Sequence, residues 1–98
     1  MDLTKNERKW KDYTDSGLDI HGVSETAGHS IKQVVFAFRS YHNLPDEAWR
    51  IKAYGLPGSD SVDVWITAPC GRPRKFGMQD ADAKNRLGAI LDELSIRQ

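Results

Sequence analysis

The spacing of apolar positions divides the chain into segments of different period. Leu87, Ile90, Leu91 and Leu94 fall at i, i+3, i+4 and i+7, the buried stripe of an amphipathic helix. Asp80 is placed to cap that helix, Asp82 lies near its positive N-terminal end, and Asp82–Arg86 and Glu93–Arg97 form i,i+4 surface pairs. Gly88, at the edge of the stripe, lowers helix propensity and allows close approach to a sheet.

Residues 49–54 and 61–68 alternate with a period of two around Gly55-Leu56-Pro57-Gly58-Ser59-Asp60, the pattern of a β-hairpin. One register gathers the apolar residues on a single face. It pairs Ala53 with Val62, Ile51 with Val64 and Trp49 with Ile66, which leaves Lys52 opposite Asp63 and Arg50 opposite Trp65 on the other face. An ion pair and a guanidinium beside an indole both suit an exposed sheet surface.

Residues 31–41 fit two periods. Ile31, Val34, Val35, Phe38 and Tyr41 match a helix that Ser30 and Gln33 could cap, whereas the run Val34-Val35-Phe36-Ala37-Phe38 is β-branched and aromatic. A helix would leave Phe36 facing water, so the expectation is a central strand buried on both faces, with helix as the alternative. Asn43-Leu44-Pro45-Asp46 ends either element.

At the start, Thr4 and Glu7 form a capping box, Glu7–Lys11 and Arg8–Asp12 pair at i,i+4, and Gly17 can supply the left-handed residue that ends a short helix. Trp10 and Tyr13 would dock that helix. Residues 16–30, rich in Gly, Ser, Thr, Asp and His, read as a loop, as does the basic stretch 69–77. The expected fold is therefore α+β: an N-terminal helix, a three-stranded antiparallel sheet, and a C-terminal helix packed on one sheet face. It forms a single domain spanning residues 1–98.

Composition narrows the functional classes. Fourteen basic residues balance fourteen acidic ones, so no global field draws the chain to nucleic acid or anionic lipid. No apolar run approaches the roughly 20 residues of a membrane span, so no membrane contact is expected. Cys70 is the single cysteine, which excludes an internal disulfide and favours a reducing, cytoplasmic setting. Met1-Asp2-Leu3-Thr4-Lys5 lacks the form of a secretory signal, and the chain reads as a complete short polypeptide.

Candidate chemistry is sparse. The element order is that of double-stranded-RNA-binding domains, but Gln79-Asp80-Ala81-Asp82 places carboxylates where such a helix start would meet phosphates. The chain is therefore not assigned to that family. Gly71-Arg72-Pro73-Arg74-Lys75 resembles the core of an AT-hook, although Cys70 stands where an Arg would precede the glycine. That resemblance implies binding in an A·T minor groove; otherwise the stretch is a solvated basic loop.

Cys70 sits beside Arg72, Arg74 and Lys75, a setting that suits a reactive thiolate. With no base in register, it reads as a passive cysteine at a strand end. His21, His29 and His42 match no metal-ligand spacing, and neither a metal nor another cofactor is expected. Asp15, Asp19, His21 and Glu25 share one segment, as the acid and base of a small nuclease or hydrolase could. No nucleophile–base–orienter set emerges, so no catalytic residue is assigned.

The leading expectation is a non-enzymatic protein-interaction module: a small regulator, inhibitor or immunity-type protein whose partner is another protein. Its contact residues would be Arg50, Lys52, Tyr54 and Trp65 on the outer hairpin face with Arg72, Arg74 and Lys75 of the basic loop. Self-association through that face or a sheet edge is a corollary. Nucleic-acid binding through residues 70–75 is the alternative. The structural reading of Trp65 is that the N-terminal helix covers it through Trp10 and Tyr13.

Overall fold

Ser16 and Gly17 both adopt left-handed φ, 53° and 75°. Two consecutive positive φ values are the signature of the two-residue type I′ turn, whose twist matches that of the strands it joins. In the computed structural model, which describes residues 11–45, 48–56 and 58–96, this turn joins strand β1 (Tyr13–Asp15) to strand β2 (Leu18–His21). The strands pair antiparallel with Asp15 opposite Leu18. Gly17 therefore closes a hairpin instead of ending a helix. The expected N-terminal helix is overturned from Tyr13 onward; its Thr4–Trp10 part lies outside the described residues.

After β2 the chain turns at Gly22, and Ser24 caps helix α1 (Glu25–Tyr41), its hydroxyl accepting from the Ala27 N–H at 3.1 Å. This corrects the strand expected over 31–41. Ala27, Ile31, Val35 and Phe38 are buried along one stripe, and the predicted cost of exposing Phe36 is largely avoided. Phe36 is half-buried, and the Lys32 ammonium lies 5.8 Å from its ring and 4.4 Å from that of Tyr13.

Strands β3 (Arg50–Gly55), β4 (Ser61–Thr67) and β5 (Arg74–Gln79) follow, then a 3₁₀ turn (Asp80–Asp82) and helix α2 (Ala83–Ile96). The sheet has five strands in sequence order. Pairing is antiparallel except between β2 and β3, which are parallel and connected through α1. The expected three-stranded antiparallel sheet is thus a five-stranded mixed one, within the α+β class. Two strands were hidden in segments read as loops, β2 in 16–30 and β5 in 69–77. Each is short and has only two apolar residues to announce it, Leu18 and Ile20 in β2 and Phe76 and Met78 in β5.

The hairpin register differs from the expected one by two residues: Ile51 faces Ile66, Ala53 faces Val64, and Tyr54 faces Asp63. A two-residue shift preserves which face every side chain occupies. It moves Trp49 out of the ladder and into the core, where its ring meets Phe38 edge-on at 5.3 Å. It also replaces the expected Lys52–Asp63 and Arg50–Trp65 pairs with Lys52–Trp65 and Arg50–Thr67.

A single cluster of buried residues unites Leu18, Ile20, Ile51, Ala53, Val62, Val64, Ile66 and Met78 of the sheet with the stripes of both helices. Both helices therefore cover one sheet face. On α2 the stripe is Ala83, Leu87, Ile90 and Leu91, with Leu94 partly buried. Asp80 has a different task from the expected cap: its carboxylate accepts from the Ser24 hydroxyl at 2.7 Å, tying the start of α1 to the end of β5. Among the described residues no helix is long and apolar enough to cross a membrane.

Candidate interaction surface

With both helices on one side, strand alternation puts every second residue on the opposite, helix-free face. Row by row across the strands, Thr14, Asp19, Lys52, Trp65 and Lys75 are successive neighbours, and so are His21, Tyr54, Asp63 and Gly77. The face thus collects residues from all five strands. Five of the seven predicted contact residues, Arg50, Lys52, Tyr54, Trp65 and Lys75, lie on it. The first four, with Thr67 and Pro73, line a trough of about 550 Å³. A smaller depression of about 240 Å³, bordered by Thr14, Asp19, Arg50 and Lys52, adjoins it.

The aromatic side chains form a continuous row. His21 and Tyr54 stack at 5.3 Å between centroids and 19° between planes, and Tyr54 meets Trp65 in a T-shaped contact at 5.8 Å. The Lys75 ammonium lies 5.6 Å from the Trp65 ring and 3.7 Å from the Asp63 carboxylate. His21 and Tyr54 thus cover each other's faces, whereas the Tyr54–Trp65 contact sets the edge of one ring against the face of the other. Trp65 is half-buried and Tyr54 is 37% exposed.

His21 is held from both sides. Its Nδ1 is 3.3 Å from the Asp12 carboxylate and its Nε2 is 3.4 Å from the Thr14 hydroxyl. Carboxylate, imidazole and hydroxyl are the residue types of a proton relay. Here they lie on an open sheet surface where water competes for each contact, so their evident effect is to fix the imidazole against Tyr54. The sequence missed Asp12 and Thr14 because their proximity to His21 depends on the hairpin that joins β1 to β2.

The basic loop is divided by the fold. Arg74 and Lys75 occupy consecutive positions of β5, so they point to opposite sides. The Arg74 guanidinium lies 5.7 Å from the Phe76 ring, on the helix side, while Lys75 joins the open face. Arg72 is exposed in the connection before β5, and Cys70 is exposed beside it. The expected acid–base cluster of Asp15, Asp19, His21 and Glu25 is also divided: Asp19 and His21 lie on the open face, Asp15 is on the other side of β1, and Glu25 starts α1. His29 is also on α1, and His42 follows its last turn against Phe38 at 4.7 Å. Tyr13 shares the helix side with Lys32 and does not cover Trp65; Trp10 lies outside the described residues. Among the described residues no three His, Cys, Asp or Glu side chains converge as metal ligands.

Comparison of the chain with protein-family models, curated proteins and solved structures finds no match.

Proposed function

We propose that this chain is a protein-interaction module, of the kind that serves as a small regulator, inhibitor or immunity-type protein, and that the helix-free sheet face is its contact surface. The observation that carries this reading is the trough over β3 and β4, which combines Trp65, Tyr54 and Pro73 with the cations Arg50 and Lys52. Trp, Tyr and Arg are the residue types that dominate protein hot spots, where an apolar anchor is buried and a charge is read beside it. The partner chemistry that fits is an apolar or aromatic group flanked by carboxylates.

Nucleic-acid binding has weaker geometric support. Base recognition by a sheet needs ring faces offered to solvent, and here His21 and Tyr54 stack on each other and Lys75 lies over the Trp65 ring. The loop's cations are also split between two sides of β5.

Intrinsic tryptophan fluorescence tests the reading. An acetylated hexapeptide alternating aspartate and phenylalanine is expected to give a saturating change that weakens with salt and is lost in Arg50→Glu. The lysine-for-aspartate counterpart is expected to give none. A single-stranded oligonucleotide that saturates the signal while the peptide does not would sink the protein-binding reading in favour of nucleic acid.

A further inference from the structure

Strand β5 forms one edge of the sheet. The opposite edge, β1, offers three residues; β5 offers six, paired one to one with β4 and so free of any bulge. The phase of its backbone follows from a single bond. The Asp80 N–H donates to the Asp60 carbonyl at 2.6 Å, one step beyond the Gln79–Ser61 pair. Hydrogen-bonded pairs alternate along an antiparallel ladder, so Met78, Phe76 and Arg74 are the residues bonded to β4. The N–H and C=O groups of Lys75, Gly77 and Gln79 therefore point outward. All three residues are exposed, and among the described residues these groups have no backbone partner. Proline and bulges commonly shield such an edge, and β5 has neither. A lysine can also shield one, but Lys75 is drawn over Trp65 toward Asp63.

The space beside the edge is shaped as well. A hollow of about 450 Å³ is lined by Asp63, Gly77 and Gln79 from the open face and by Asp82 and Arg86 from the helix side. Residues of both faces border it, so it lies at the edge itself, where a sixth strand would run. Gly77 leaves it unfilled: the nearest atom to a Cβ there would be Asp63 Oδ1, at 3.8 Å. On the helix side Phe76 is half-buried. The Arg74 guanidinium, 5.7 Å from its ring, has no carboxylate partner among the described residues.

We infer that β5 is a docking edge for an extended segment of another protein, added antiparallel as a sixth strand. Outward backbone groups at every second residue are matched by a strand and by no compact surface. Gly77 favours a large aromatic side chain opposite it, filling the hollow. Phe76 favours an apolar neighbour and Arg74 a carboxylate. A second β5 brings no such carboxylate: residues 74–79 contain none, and Asp80 just beyond is held by Ser24. This edge is separate from the helix-free face, so either contact can fail without the other.

A capped hexapeptide, Thr-Val-Tyr-Val-Thr-Glu, tests the inference. Paired antiparallel, it sets tyrosine opposite Gly77, valine opposite Phe76 and glutamate opposite Arg74. With the peptide at about 5 mM, amide hydrogen exchange of the whole chain is expected to slow several-fold at Lys75, Gly77 and Gln79. Methylating the tyrosine nitrogen removes a donor aimed at β5 and should abolish the effect. Methylating the next valine nitrogen, whose N–H points away, should leave it. Gly77→Pro removes the matching donor on the protein where that N–H bonds nothing in the chain. It is expected to melt near wild type and to lose the response; if it fails to fold, the methylated pair decides alone. No slowing at the three amides overturns the inference, as does equal slowing by the two methylated peptides. Slowing at these amides in the chain alone, growing with its concentration, overturns it in favour of a second copy.

Discussion

At the residue scale, two positions hold more of the structure than their type suggests. Gly55 ends β3 where the turn at Gly22 crosses it, and a Cβ there would lie 2.0 Å from the Gly22 carbonyl oxygen. Backbone on both sides leaves no flexible atom to yield. Gly55→Ala is expected to cost more than about 2 kcal/mol in chemical denaturation, since overpacking against fixed atoms forces backbone shifts. Arg39 is 3% exposed, and its guanidinium donates to the Ser16 carbonyl at 2.7 Å and the Trp49 carbonyl at 2.8 Å. One planar fork thereby ties α1 to the β1–β2 turn and to the entry of β3. Arg39→Leu is expected to lose about 3 kcal/mol, because two carbonyl groups lose charged donors. Lysine should restore little of it, having no fork to reach both. A melt of Arg39→Lys equal to wild type would show that one donor suffices.

At the scale of elements, β1 and β2 depend on their turn more than on their side chains. Gly17→Ala is expected to cost about 1 kcal/mol through its positive φ, and hydrogen exchange should show the loss concentrated in residues 13–21. Protection lost uniformly across the sheet would mean that the hairpin is not a separate unit. The signal for this hairpin was present in the sequence. Tyr13-Thr14-Asp15 and Leu18-Asp19-Ile20-His21 flank Ser-Gly, a turn dipeptide, and Leu18 and Ile20 alternate. It was outweighed by the polar composition around it. Helix α2 was legible because four apolar residues fall on one stripe, whereas α1 was misread because its β-branched residues favour strand when taken alone. Burial of Ile31, Val35 and Phe38 against the sheet outweighs that preference. On the open face, Lys75 is held between Asp63 and Trp65, so it positions the indole. Lys75→Ala should increase acrylamide quenching of Trp65 with little change in melting temperature.

At the scale of the whole molecule, the two-layer design separates stability from contact. The core lies between the sheet and the two helices, so Trp65→Ala on the opposite face is expected to unfold at nearly the wild-type denaturant concentration. It should nevertheless lose the peptide response. Val64→Ala, one residue away and fully buried, should instead cost about 2 kcal/mol by leaving a cavity. If Trp65→Ala is the more destabilised of the two, the indole belongs to the core and the contact surface is misassigned.

The alternation in residues 49–67 alone determined which side chains of the hairpin share a face, because a strand's period of two depends only on sequence spacing. It therefore placed Arg50, Lys52, Tyr54 and Trp65 together even though the register was off by two. The stripe of α2 was determined in the same way by its own period. Only the tertiary structure decided that residues 25–41 are helical, that β1, β2 and β5 join β3 and β4 in one sheet, and that Arg74 and Lys75 part company. Those outcomes depend on which surface each segment meets. A short segment with few apolar residues takes the conformation that satisfies its neighbours' backbone hydrogen bonds and buries what little it has. That choice is made by the assembled sheet, and the segment's own composition does not contain it.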